Sequence, residues 1–259
     1  MSLNSYFFLL LLLFSTNSNA EVLFGKVDTL DGAKFAFYEK IDDHFVMDGD
    51  ILVEPINNNT NKAVSRRLKN KKWKKGIIYY TVDLSIPNID RVYQAIEYYD
   101  NNTPIQFKPR IDEKDFVHFK NNGSNGCSSY VGRVGGRQVI NVPDWCGKGS
   151  LIHEVFHALG FYHEQSRRDR NKYIKIKWFN IKFKQWHNFF RHIFAKSYGD
   201  FDFDSLMLYP SFNSFAVDSK LPTITKRDGS TFTAQRSSLS ENDLNALSTL
   251  YKSELVNSQ

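Results

Sequence analysis

Residues 153–163, His-Glu-Val-Phe-His-Ala-Leu-Gly-Phe-Tyr-His, constrain this 259-residue chain more than any other stretch. On a helix over 150–159, His153 and His157 are four residues apart and lie one turn apart on the same face. Two imidazoles so placed hold one metal ion, and Glu154 beside the first reaches a water on that ion. Gly160 suits the left-handed residue that ends a helix. The chain then swings back and delivers His163 as a third nitrogen. Three protein ligands and an open position describe a catalytic zinc site, whereas structural sites close with four. A bare pair of histidines at this spacing also fits a buried amphipathic helix whose imidazoles only find hydrogen bonds. The further fixed positions, Gly160 and His163, favour one zinc ion.

Residues 7–14 are an unbroken apolar run of eight. That is too short to span a bilayer and suits the core of a signal peptide. Ser18, Asn19 and Ala20 supply a cleavage site after Ala20, although no Lys or Arg precedes the run. The chain is therefore expected to be exported, to an extracellular or periplasmic space, without residues 1–20. No later stretch is long and apolar enough for a membrane span. In an oxidising compartment the two cysteines, Cys127 and Cys146, pair and constrain the unfolded chain by about 3 kcal/mol. The alternative is two separate buried thiols.

Charge divides the chain. Residues 21–62 carry 9 acidic and 4 basic side chains, and residues 63–259 carry 19 acidic and 30 basic. An acidic segment before a basic body suits a pro-segment lying on the domain it precedes, although solvated charge gives the same count. Residues 57–62 are polar and read as a linker. The basic run 66–75 is open to proteolytic nicking in an exported chain.

Strands are predicted at 77–82, 105–107, 116–119 and 138–142. Ile89, Val92, Tyr93, Ile96 and Tyr99 fall at helical spacing. Ser240 as N-cap, Asp243 three residues on, and Leu244, Leu247 and Leu250 on one face predict a final helix. Between 178 and 190, aromatic residues recur at partly helical spacing among basic ones. Such a mixture also binds single-stranded nucleic acid, but packing in a core accounts for it better, and no nucleic-acid partner is expected.

The segment HEVFHALGFYHEQSRRDRNKY resembles the zinc signature of the astacin family of metallopeptidases. Three further stretches carry the resemblance: Ser205-Leu206-Met207-Leu208-Tyr209, like the family's Met-turn; Gly126 to Arg133 ahead of Cys146; and Gly229 with Gln235 to Ser240 before the last helix. Together they run from about residue 63 to 251. The resemblance implies an α+β catalytic domain of metzincin type over 63–259. A twisted sheet and the active-site helix would form one half, and a mostly irregular second half would end in a helix. It implies zinc on the floor of a cleft, hydrolysis of internal bonds of proteins or peptides, and a substrate lying extended beside the edge strand near 127–130.

Residue by residue, the resemblance implies that Tyr209 is a switchable zinc ligand that stabilises the oxyanion; the alternative is a core tyrosine. Met207 would pack beneath the metal, and Glu164 would lie near the mature amino terminus. Arg236 would line the pocket for the residue after the cut and favour Asp or Glu there; the alternative is a surface arginine. Residues 45–51, Phe-Val-Met-Asp-Gly-Asp-Ile, resemble the pro-segment motif in which an aspartate blocks the zinc. That makes Asp50 the inhibitory ligand, with Asp48 as substitute or an ordinary Asp-Gly turn as alternative. The chain would then be secreted as a latent proenzyme. It departs from the family in having cysteines for only one bridge, in Leu208, where histidine is frequent, and in Ser128, where an aromatic is common. A basic surface-binding module is the competing reading of the body's charge.

Overall fold

The computed structural model describes residues 21–30, 32–41, 43–56, 71–121, 123 and 126–256. The expected signal peptide and linker, and residues 66–70 of the basic run, lie outside the described residues. From 71 on, the architecture matches the expected α+β arrangement. Strand β6 (Ile77–Val82) is followed by helix α1 (Asp90–Asn102), β7 (Gln106–Pro109), β8 (Phe116–Lys120), β9 (Ser128–Tyr130), β10 (Arg137–Asn141) and helix α2 (Lys148–Ala158). The second half holds short 3-10 turns, a small sheet of β11 (Ile174–Ile176) and β12 (Ile224–Lys226), and the closing helix α3 (Glu241–Val256).

The acidic segment does more than lie on the domain. It forms β1 (Glu21–Asp28), β2 (Lys34–Ile41), β3 (His44–Met47), β4 (Ile51–Leu52) and β5 (Glu54–Pro55), which continue the body's sheet. The strand order is β5-β1-β2-β3-β4-β9-β10-β8-β6-β7. The join is β4 against β9, a parallel pairing with Ile51 opposite Ser129 and Leu52 opposite Tyr130. An unpaired edge at β9 would expose donors and acceptors that a strand can satisfy, and β4 satisfies them here.

Burial follows periodicity. In β8, Val117 and Phe119 alternate inward and are fully buried. Helix α1 covers them with Val92, Ala95, Ile96 and Tyr99. Tyr93, expected on the same face, is 43% exposed; one residue from Val92, it turns about 100° away from it. Helix α2 is buried on every side from Leu151 to Ala158, as a core helix is. Its last carbonyls would be orphaned. The Trp73 indole donates to the Ala158 carbonyl at 2.8 Å, and the Tyr251 hydroxyl donates to that of Leu159 at 3.1 Å. Helix α3 is thereby tied to the end of α2.

The N-terminus of α3 is the capping box read from the sequence. The Asp243 amide donates to Ser240 Oγ at 3.0 Å, and the Ser240 amide returns a bond to Asp243 Oδ2 at 3.1 Å. The aromatic stretch departs from expectation. It folds as 3-10 turns over Trp178–Asn180 and Phe183–Phe189. Phe189 is buried, but Phe179 is 99% exposed and Phe183 75% exposed, so core packing accounts for only part of it.

Candidate active site

Helix α2 presents His153 and His157 one turn apart, with ring centroids 4.7 Å from each other. The helix stops at Gly160, whose φ of +115° is left-handed backbone that glycine adopts without strain. The reversal brings His163 back, its ring 5.2 Å from that of His153 and 4.8 Å from that of His157. His153 Nδ1 donates to the Leu206 carbonyl at 3.1 Å, and His157 Nδ1 donates to the Phe161 carbonyl at 2.7 Å. A carbonyl can only accept, so both rings carry their proton on Nδ1 and turn a bare Nε2 inward. Burial lowers the His153 pKa to about 3 and lowers that of His163. Neutral imidazole is the form that ligates a metal.

Asp50, at the start of β4, meets this cluster. Its Oδ2 lies 3.3 Å from His153 Nε2 and 3.2 Å from His163 Nε2, and its Oδ1 lies 3.4 Å from His157 Nε2. One ligand atom from each of the four side chains falls within 4.8 Å of the others. A zinc ion fits this donor set. His157 Nε2 and Asp50 Oδ1 are buried without a hydrogen-bond partner, and His153 Nε2 faces His163 Nε2 at 3.2 Å. Nitrogen and carboxylate donors converging in this number are what zinc takes.

Asp48, the alternative ligand, does not join the cluster. It is buried, with φ +54°, and its carboxylate pairs closely with His192 Nε2. His192 Nδ1 in turn lies 2.9 Å from Lys34 Nζ, and its ring stacks on Tyr162 at 4.2 Å. A second acidic group of the segment, Glu39, lies 3.3 Å from His187 Nε2 and accepts from Gln185 Nε2 at 2.9 Å. Sequence reasoning missed His187 and His192. Neither belongs to a spaced motif, and their carboxylate partners are more than a hundred residues away.

Glu154 is buried, and its Oε2 has no hydrogen-bond partner among the described residues. Burial first, then the charge of Asp50, raises its pKa well above 4.5. The Tyr209 ring lies 4.6 Å from that of His163. Its amide donates to Gln165 Oε1 at 3.0 Å and its hydroxyl to the Asp48 carbonyl. Met207 is buried in the main core. Arg236 Nη1 donates to the carbonyls of Leu206 at 2.6 Å and Leu208 at 3.1 Å, so it bolts the turn on both sides of Met207. Its charge also reaches Asp50, Tyr209 and Glu154. Cys127 and Cys146 form a disulfide with their Cα atoms 5.9 Å apart. Behind the site, Glu164, Arg167, Asp202 and Asp243 line a cavity of about 190 Å³. Burial pushes the Glu164 carboxyl up to about 7.

Known proteins resemble this chain. The model of the Astacin peptidase family matches residues 65–252. Zinc metalloproteinase nas-13 of Caenorhabditis elegans is 36% identical over 191 residues, which is 70% of this chain and 41% of that protein. Zinc metalloproteinase nas-14 of the same organism is 33% identical over 219 residues, 82% of this chain and 42% of that protein. The chain thus spans about two fifths of the length of these relatives. Among solved structures, high choriolytic enzyme 1, a hatching-enzyme zinc protease of Oryzias latipes, superposes with a TM-score of 0.64 at 29% identity, covering 70% of this chain and 92% of that one. With a family match over most of its length and the signature histidines gathered at one point, the chain belongs to the astacin family of peptidases.

Proposed function

We propose that the chain is a secreted zinc-dependent endopeptidase that hydrolyses internal peptide bonds and is made as a latent precursor, with residues 21–62 as its pro-segment. The observation that carries the activity is the convergence of three inward Nε2 atoms with Glu154 buried beside them. His153, His157 and His163 would hold a zinc ion, which would supply a Lewis acid and lower the pKa of a water toward neutrality. Glu154 would take a proton from the attacking water and later pass it to the leaving nitrogen. The Tyr209 hydroxyl donates to the oxyanion as charge develops on the carbonyl oxygen. A substrate lies extended along β9, whose edge amides hold its backbone. Arg236 favours an acidic side chain just after the cut.

Latency is supported by three contacts of the acidic segment. The Asp50 carboxylate lies against all three histidines, the Tyr209 hydroxyl is taken by the Asp48 carbonyl, and β4 covers the β9 edge. A cut near 62–63, or in the basic run that follows, removes all three at once. It also frees an amino terminus for the cavity beside Glu164, where an ammonium would meet a buried carboxylate. The test is hydrolysis of an internally quenched peptide by the chain trimmed at that point. Cleavage that stops with a chelator and returns with zinc is expected. No cleavage by a zinc-loaded trimmed chain, or cleavage indifferent to the chelator, overturns the activity.

A further inference from the structure

We infer that the face formed by the β1–β2 hairpin and the 178–194 turns docks on an anionic lipid surface, a function separate from peptide hydrolysis. The first observation is a run of seven aromatic rings, five of them exposed. Phe35 stacks on Phe24 at 5.7 Å, Phe24 meets Phe37 at 4.7 Å, and Phe37 meets Phe190 at 6.0 Å. From Phe190 the run continues through Trp178 at 6.1 Å and Trp186 at 5.6 Å to Phe183 at 5.2 Å. Phe24, Phe35 and Phe183 are 60%, 68% and 75% exposed. In the same turns, Phe179 and Phe194 are 99% and 79% exposed. Soluble surfaces rarely keep so many large apolar groups together without a use.

The second observation is charge. Between Asp169 and Asp200 the sequence has eight basic residues and no acidic one. Arg170 is buried, and the other seven are exposed. None of the seven pairs with a carboxylate among the described residues. Glu39 and Asp48 reach this stretch only at the buried histidines, His187 and His192. Exposed apolar side chains interspersed with lysines that have no carboxylate partner among the described residues are the composition of an interfacial anchor. The rings enter the boundary between headgroups and acyl chains, and the ammonium groups stay with the phosphates.

Two other polyanions fit less well. A sulfated polysaccharide would pair with the lysines but leave Phe179 and Phe194 in water. A single strand of nucleic acid needs ring faces on which successive bases stack. Most of these rings instead stand at 46° to 63° to their neighbours, and only Phe24 and Phe35 lie near parallel.

The test is co-sedimentation of the uncut chain without residues 1–20 with vesicles of phosphatidylcholine alone, or of phosphatidylcholine mixed with phosphatidylserine. A sulfated polysaccharide and a single-stranded oligonucleotide are run beside them. Binding to the mixed vesicles is expected to be about tenfold tighter than to the neutral ones, and to weaken with salt. The double variant Phe179→Ser, Phe194→Ser should lose about tenfold or more of that binding. Lys175→Glu, Lys177→Glu should do the same, and both pairs should keep the parent's thermal midpoint. Phe179 and Phe194 are exposed and are not among the residues gathered at the histidine cluster, so peptide hydrolysis by the trimmed chain should not change. No preference for the mixed vesicles overturns the inference. So does binding of the polysaccharide or oligonucleotide alone, or vesicle binding that the phenylalanine pair does not alter.

Discussion

The Tyr209 hydroxyl donates a hydrogen bond of 2.5 Å to the main-chain carbonyl of Asp48, 161 residues earlier in the chain. The bond couples a side chain proposed to serve the reaction to the turn that carries Asp50. That turn passes very close. A Cβ on Gly49 would stand 2.7 Å from the same hydroxyl, and φ at Gly49 is +89°.

Gly49→Ala should therefore loosen the latch. An alanine strains the backbone there and collides with a buried hydroxyl, so the turn must lift. The uncut variant is expected to hydrolyse a quenched peptide at least several-fold faster than the uncut parent. Equal rates would show that the turn does not restrain the site.

Glu154→Gln in the trimmed chain should lower kcat by about 10²-fold or more, the scale of general acid–base catalysis. Metal analysis should still find one zinc per chain, because Glu154 is not among the converging ligand atoms. His157→Ala should instead lose zinc and activity together. A glutamine variant with unchanged kcat would remove Glu154 from the mechanism.

The Cys127–Cys146 bridge should contribute about 3 kcal/mol, with reduction lowering the thermal midpoint by about 6–12 °C for a domain of this size. A thiol assay on the denatured, unreduced protein should find no free thiol.

Asp243 joins α3 to the turn before Met207. It accepts from Ser205 Oγ at 2.8 Å, the Leu206 amide at 2.9 Å and the Ser240 amide at 3.1 Å. Asp243→Ala leaves buried donors unpaired and should cost about 2–4 kcal/mol by urea titration. Burial raises its carboxyl above 3.8, so the native state holds this proton more tightly than the unfolded chain does. Its contribution to stability is therefore full below about 3.8 and falls as pH rises through the higher native value. Asp243→Asn should flatten that part of the pH profile.

Sequence carried the histidine cluster because its geometry is local. A four-residue helical step and one left-handed glycine suffice to gather three rings. The α3 cap was legible for the same reason, since Ser240 and Asp243 satisfy each other within one turn. The five strands of the acidic segment were not legible. Their pairing with β9 joins Ile51 to Ser129, and no local period encodes a partner that distant. The exposed phenylalanines escaped because short 3-10 turns break the helical period, leaving spacing no guide to which rings face inward. The family resemblance singles out Arg236 for the pocket after the cut. Its bonds to the Leu206 and Leu208 carbonyls depend on a loop crossing that spacing does not reveal.

We propose that Asp50 silences a zinc peptidase by lying against its three histidines. The direct measurement is the rate of quenched-peptide hydrolysis by the uncut chain, with and without Asp50→Ala, beside the trimmed chain as reference. The unaltered uncut chain should be nearly inactive, and the variant should approach the trimmed chain without any cut. An unaltered uncut chain already as fast as the trimmed one would contradict the account.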